Sequence, residues 1–252
     1  MSLLNLISER YDREARLYPA LLLISPAVAT GVALFSNKLI GLQSLGATVV
    51  GFGGAFLLTQ LARDAGKSRE PSLYKLWGGI PSVLIFRHSH ERFDSITKAR
   101  YHKKLATLVS GAQAPSNEDE QEDPAAADQV YSAWSQYLRA NTRDTTKYPL
   151  LFQENVSYGY RRNVWGLRPI GISVSLLCSL IAGWRLLFIH EATGEIDQGL
   201  AGALTVSFLF LALWLFRFTS DWVRVPANAY AERLAESLET IGGNAPVEQE
   251  KP

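Results

Sequence analysis

Residues 87–102 read RHSHERFDSITKARYH and hold three of the four histidines of this chain. Imidazole is a common metal ligand. If residues 83–90 form an extended strand, alternate side chains point the same way. His88 and His90 would then point the same way, and His102 could supply a third imidazole. Glu91 or Asp94 could complete a catalytic-type zinc site, in which a water occupies one position. The segment carries neither an H-E-x-x-H motif nor a paired C-x-x-C motif, and no nucleophile motif accompanies it for acid–base catalysis.

The same segment and the residues just after it are rich in cations. Guanidinium groups match the geometry of phosphate, and each lysine near a membrane surface attracts anionic lipid by about 1 kcal/mol at best. These cations would also repel a metal ion. The composition therefore favours an anion-binding or lipid-facing surface over a metal site, with these candidate residues: Arg87, Arg92, Lys98, Arg100, Lys103 and Lys104.

Four stretches elsewhere in the chain carry almost no charge: residues 17–35, 39–62, 169–189 and 199–218. Each has about the 20 residues that a helix needs to cross a bilayer, and a helix satisfies its own backbone in lipid. None shows the polar face of a soluble amphipathic helix. We therefore predict an all-α membrane protein with four transmembrane helices in two hairpins and a mainly helical cytoplasmic insert.

Cations flank these stretches unevenly. The first short connection has Lys38 alone, and the second has neither lysine nor arginine. Cations mark the cytoplasmic side of a membrane protein. They cluster in the other three segments: Arg10, Arg13 and Arg16; Arg63, Lys67, Arg69, Arg161, Arg162 and Arg168; and Arg217 and Arg224. We expect a multi-pass membrane protein with both termini in the cytoplasm.

This orientation predicts five segments with distinct environments. They are a cytoplasmic amphipathic N-terminus (1–16), a first transmembrane hairpin (17–62), a cytoplasmic domain (63–168), a second hairpin (169–218), and a cytoplasmic C-terminal helix and tail (219–252). Aromatic residues near the predicted helix ends suit an interfacial belt: Tyr18, Trp165, Trp184, Trp214 and Trp222.

Small residues recur four positions apart within the predicted spans, which puts them on one helix face. Such faces let helix backbones approach closely in a bundle or a homo-oligomer. The candidate packing residues are Ala47, Gly51, Ala55, Ser175, Ser179, Gly183, Gly199, Ala203 and Ser207.

Local signals also predict the elements of the cytoplasmic regions. Glycines and prolines in 67–81 indicate turns, and the acidic run 116–123 indicates a flexible linker. Cap and breaker residues predict helices at 95–109, after Asp94 or Ser95, and from Pro124 to about Ala140. A further helix is expected to open at Pro226 and to end at Gly242 and Gly243.

Three short strings carry a resemblance to known proteins. WGGIP at 77–81, RH at 87–88 and TKARYH at 97–102 resemble a group of bacterial polytopic inner-membrane proteins with no assigned activity. The resemblance covers most of the chain and implies two membrane hairpins around a cytoplasmic insert.

Three functions remain open from the sequence. The first is a cytoplasmic domain that docks or senses a partner or an anionic ligand, with a bundle that anchors it or oligomerises and perturbs the membrane. This follows membrane-hairpin effectors by fold-level analogy. The second is a membrane-tethered metal enzyme that uses the histidines, and the third is a channel or transporter subunit. The sequence requires no cofactor and shows no nucleic-acid motif. The expected partners are the lipid bilayer and either further copies or a neighbouring membrane subunit.

Overall fold

The computed structural model describes residues 9–39 and 45–241, with the backbone alone for 36–39, 45–53 and Ala55. Every regular element in this part of the chain is helical, and no strand is found there. The chain divides into two compact units. Unit 1 comprises residues 1–73 and 156–223, and unit 2 comprises residues 74–155 and 224–252. The three boundaries, after residues 73, 155 and 223, each fall inside a helix.

Unit 1 is built from long apolar helices. Helix α1 (Tyr18–Leu39) follows a short helical turn and a π-helical turn, Arg13–Leu17. Helix α2 (Leu45–Trp77) and helix α7 (Pro149–Thr193) pass from one unit into the other. Helix α8 (Gln198–Ala212) packs against α1 and ends in a second π-helical turn, Leu213–Arg217.

Three helical segments are long and apolar enough to cross a membrane: Arg10–Phe35, Pro149–Thr193 and Gln198–Arg217. They correspond to three of the four predicted spans. The other predicted span, 39–62, lies partly outside the described residues, and α2 begins within it at Leu45. The all-helical class and three apolar helices are thus confirmed, whereas four spans in two hairpins stays a prediction.

Unit 2 holds the shorter helices. In chain order they are α3 (Pro81–Leu84), α4 (Ser95–Leu108), α5 (Asn117–Glu122), α6 (Pro124–Asn141) and α9 (Ser220–Glu236), of which α9 begins in unit 1. Its core is aromatic and aliphatic, and the largest fully buried side chains there include Phe86, Tyr131, Trp134, Leu105, Leu138, Leu234 and Leu238. The Phe86 and Trp134 rings meet edge to face with centroids 6.0 Å apart.

Two helix predictions in unit 2 are confirmed. Asp94 caps α4 by accepting hydrogen bonds from the backbone N–H groups of Ile96 and Thr97. Asp123 caps α6 in the same way, and Pro124 occupies the first position, where its missing N–H costs no helical hydrogen bond. Both helices end within a residue or so of their predicted limits.

Four other predictions are wrong. Residues 67–77 continue helix α2 through Pro71. A proline inside a long helix removes one backbone hydrogen bond, and the remaining hydrogen bonds of the helix can offset that loss. Gly78 and Gly79, with φ of 80° and 148°, then end the helix. The run 83–86 is part of a helical turn and not a strand.

The acidic run is also ordered, because Ser116 and Asp119 form a reciprocal capping box that starts α5. Helix α9 begins at Ser220 and contains Pro226, which therefore does not open it. It ends at Glu236 and is followed by a 3-10 turn, Ser237–Glu239, so the helix stops before the predicted end at Gly242 and Gly243, which lie outside the described residues.

Candidate functional site

The first part of the histidine segment, residues 87–94, forms the turns between α3 and α4, and residues 95–102 lie in α4. The Nε2 atom of His88 lies 2.9 Å from the carbonyl oxygen of Pro115, and that of His102 lies 2.7 Å from the carbonyl oxygen of Phe86. Since a carbonyl only accepts, both Nε2 atoms carry the proton. The two rings meet edge to face with centroids 4.8 Å apart. The two rings therefore pack against each other, and their hydrogen bonds fix the backbone at Pro115 and at Phe86.

His90 stands apart from this pair. Its Nδ1 accepts a hydrogen bond of 3.3 Å from the backbone N–H of Arg92, so its proton lies on Nε2. The segment is not an extended strand, and the geometry assumed for the zinc hypothesis is absent. Within the described residues, no group of three histidine, cysteine or acidic side chains is placed to hold a metal ion.

Glu120 is the buried acid that organises the histidine turns. Its carboxylate accepts hydrogen bonds from the backbone N–H of His88 at 2.8 Å and from the hydroxyl of Tyr131 at 2.7 Å. Longer bonds come from the backbone and hydroxyl of Ser89. Burial alone would raise the pKa of Glu120, but these hydrogen bonds outweigh burial and lower it. The residue is therefore a buried carboxylate that pins α5 to the turn.

Lys98 secures the other side of the same turn. Its ammonium group donates to the carbonyl oxygens of His88 and His90 at 2.8 and 2.6 Å. Burial lowers the pKa of Lys98, while the carboxylates of Glu120 and Glu91 partly oppose that change. Burial likewise lowers the pKa of His102, and the nearby ammonium group of Lys98 acts in the same direction. The hydrogen bond to the Phe86 carbonyl and the carboxylate of Glu120 partly oppose that change.

Most of the predicted anion-binding cations have partners inside unit 2. Arg87 forms a bidentate pair with Asp128 at 2.8 and 2.5 Å. The remaining pairs are Arg92 with Glu232, Arg100 with Glu239, and Lys104 with the carbonyl oxygen of Leu238. Lys98 binds carbonyls, as described above, and Lys103 is exposed. The six side chains do not converge on one anion site, because they point to different internal partners.

One cleft in unit 2 brings polar groups together beside apolar ones. It encloses about 250 Å³ between the 81–92 segment and helix α9, and its polar lining is His90, Arg92, Asn228 and Glu232. Val225, which is largely exposed, also lines the cleft. Burial, together with Lys98, Arg224 and Arg92, lowers the pKa of His90. The cleft therefore offers a guanidinium, an amide and an imidazole N–H as donors.

The predicted small-residue faces occupy several interior positions of unit 1. Ser175, Ser179, Ala203 and Ser207 are buried, and a Cβ added at Gly183 would contact Leu204 at 3.7 Å. Gly199 is exposed, near Ala33 of α1. The side chains of Ala47, Gly51 and Ala55 lie outside the described residues.

The closest helix crossing involves glycines that the spacing pattern did not single out. A Cβ at Gly166 of α7 would lie 2.5 Å from the backbone of Ala65 and Gly66 in α2. A Cβ at Gly66 would lie 2.0 Å from Oδ1 of Asn163, whose amide donates to the carbonyl oxygen of Ala15 at 2.7 Å. The sequence shows Gly66 and Gly166 as two isolated glycines. That they meet at one helix crossing depends on the tertiary fold.

Trp214 does not belong to the predicted interfacial belt of aromatic residues. It is fully buried, and a Cβ at Gly171 would lie 2.3 Å from its indole ring. Trp214 is therefore a packing residue between α7 and the end of α8, whereas Trp184 is largely exposed.

Comparisons with protein-family models, curated proteins and solved structures find no match for this chain.

Proposed function

We propose that this chain is a membrane-anchored docking protein. Its apolar helices insert in a bacterial inner membrane, as an anchor or an oligomer, and its short-helix unit lies in the cytoplasm. There it binds an anionic ligand or an acidic group of a protein partner. The cleft lined by His90, Arg92 and Asn228 is the proposed docking site.

The observation that carries the membrane anchor is the inverted polarity of unit 1. Large apolar side chains are exposed on its helices, including Leu177 at 59%, Leu180 at 62% and Phe216 at 79%. Small or hydroxyl side chains, such as Ser175 and Ala182, are fully buried. A protein in water would expose few such contiguous apolar surfaces, whereas lipid solvates them. The cations that flank the apolar stretches support cytoplasmic termini.

The cleft supports an anionic ligand through its donors. Among the described residues, the guanidinium of Arg92 donates one hydrogen bond, to Glu232 at 2.6 Å, and a guanidinium has five donors. The His90 proton lies on Nε2 because Nδ1 accepts from the Arg92 backbone. A volume of about 250 Å³ suits a phosphate-sized group or one acidic side chain.

Two measurements on the full chain test this proposal. Alkaline carbonate extraction of membranes should leave the protein in the pellet, and release into the supernatant would overturn the membrane anchor. Detergent-purified protein should unfold at a higher temperature with inorganic pyrophosphate. The shift should disappear in Arg92→Gln and persist in Lys103→Gln, which removes an exposed cation outside the cleft. An equal shift in both variants would overturn the docking site and leave the membrane anchor intact.

A further inference from the structure

Two arginines of unit 1 lie over one tryptophan, Trp222, in the first turn of helix α9. The guanidinium of Arg161 lies over the Trp222 ring, 5.0 Å from its centroid, and that of Arg217 lies 5.1 Å from the same centroid. The two cationic groups are therefore within about 10 Å of each other. Arg161 also donates to the carbonyl oxygen of Trp222 at 2.9 Å, which fixes the backbone that carries the ring.

Arg168 extends this cluster along helix α7. It lies seven residues after Arg161, which places it on the same face about two turns away. Its Nε and Nη2 atoms donate to the carbonyl oxygens of Trp214 and Leu215, each at 2.9 Å. These carbonyls belong to the π-helical turn that ends α8, where backbone acceptors lack regular helical partners. The cation is thus held at the negative end of a helix.

The charges of Arg168 and Arg217 are not neutralised within the described part of the protein. Neither forms an ion pair with a carboxylate among those residues. Arg168 uses Nε and Nη2 for the two carbonyls, which leaves its Nη1 donors for another acceptor. Arg217 is exposed and contacts only the face of an indole. Their environment differs from that of the paired arginines in unit 2.

The cluster also lies where an apolar helix ends. Arg217 is the last residue of the Gln198–Arg217 segment, which is long and apolar enough to cross a membrane. The preceding residue, Phe216, is the most exposed apolar side chain of that segment. In an inserted chain, this boundary coincides with the lipid headgroups, where tryptophan and arginine commonly lie. Trp222 also packs against Phe218, with ring centroids 5.1 Å apart.

We infer that Arg168 and Arg217 form a binding site for the phosphate of an anionic phospholipid, beside Trp222. Arg161 acts as a positioning residue, because it lies over the indole that Arg217 also contacts and donates to the backbone that carries it. Guanidinium groups bind phosphate through paired, charge-assisted hydrogen bonds. Basic pockets between membrane helices on the cytoplasmic side are suited to anionic headgroups. This site goes beyond the proposed docking cleft and depends only on the insertion of unit 1.

Native mass spectrometry of the full chain in detergent tests the site with two lipids. We expect phosphatidylglycerol adducts to form at lower lipid concentration than phosphatidylcholine adducts. Arg217→Gln should weaken phosphatidylglycerol retention by about tenfold, the loss of one charge-assisted contact. Arg185→Gln is the matched control, because Arg185 is also exposed and lies 5.4 Å over an aromatic ring, Phe188, far along α7. It should retain the wild-type pattern.

Further variants keep the test decisive. Arg217→Lys preserves the charge but loses the fork, so it should bind more weakly than wild type and more tightly than Arg217→Gln. It also serves if the glutamine variant does not fold. The inference is overturned if Arg217→Gln and Arg168→Gln both retain wild-type phosphatidylglycerol adducts, or if phosphatidylcholine binds equally. Displacement of the lipid by millimolar inorganic phosphate would also overturn it and assign the site to a soluble anion.

Discussion

Removal of the Glu120 carboxylate should release helix α5 and the histidine turn together. Glu120 is buried and accepts two short hydrogen bonds, from the Tyr131 hydroxyl at 2.7 Å and the His88 backbone at 2.8 Å. The change Glu120→Ala leaves both donors buried without this acceptor. An unpaired buried donor loses its hydrogen bond and keeps its desolvation penalty.

The magnitude follows from the two short bonds. A hydrogen bond to a charged group contributes about 1.5–3 kcal/mol to stability, so the loss of two should destabilise unit 2 in Glu120→Ala by roughly 3–6 kcal/mol. The longer bonds from Ser89, at 3.4 and 3.3 Å, add little. Such a loss is a large part of the ~5–15 kcal/mol by which a typical domain is stable.

Hydrogen exchange in the full chain measures this loss. Peptides from 88–90 and 117–141 should lose protection in Glu120→Ala, and Glu120→Gln should lie between it and the wild type because one amide oxygen still accepts. Glu118→Ala is the control, since Glu118 is exposed on the same short helix and should change stability by less than about 0.5 kcal/mol. Equal effects of Glu120→Ala and Glu118→Ala would refute the reasoning.

Two further perturbations test the helix crossing and the buried histidine. Gly166→Ala should destabilise unit 1 by roughly 1–3 kcal/mol, because its new Cβ meets backbone at 2.5 Å. Gly202→Ala, with open space around it, should not lower the thermal unfolding midpoint in detergent. Burial lowers the pKa of His102, so the unfolded chain takes up the proton first and unit 2 loses stability as pH falls below about 6.5. Hydrogen exchange corrected for intrinsic rates should show this loss, and His102→Gln should reduce it; an unchanged slope would contradict it.

The sequence predicted those elements whose determinants are local. Asp94 and the Asp123–Pro124 pair cap their helices with side chains two or three residues from the bonded N–H groups. The apolar stretches likewise have a length that composition alone reveals. The capping box of Ser116 and Asp119 was equally local, but the acidity of that run suggested a linker. Here a specific motif outweighs a compositional tendency.

Prolines were interpreted as boundaries where the fold places them inside helices. Pro71 and Pro226 both lie within continuous helices. A proline forfeits one backbone bond and crowds the preceding turn, and the packing of a long helix can offset that loss. Whether a proline ends a helix or lies inside it depends on tertiary contacts, which the neighbouring sequence does not reveal.

The hydrogen bonds and ion pairs of residues 87–120 could not be predicted from the sequence, because their partners are distant in the chain. Glu120 binds a backbone group 32 positions away, and Arg92 and Arg100 pair with acids about 140 positions away. Charge density in 87–104 was visible, but its neutralisation by Glu232 and Glu239 was not. A basic stretch can thus be a structural ion-pair set even where its composition suggests a ligand surface.

This contrast identifies which arginines are available to ligands. In unit 2, Arg87 is committed to Asp128 through two hydrogen bonds, so an anion would have to displace a carboxylate already in place. Among the described residues of unit 1, Arg168 donates to neutral carbonyls and Arg217 lies over a ring face, and neither forms an ion pair with a carboxylate. An anion there replaces water and reduces the repulsion between like charges without breaking an internal ion pair. We therefore expect the more favourable exchange at Arg168 and Arg217, although the histidine-rich segment has the greater density of charge.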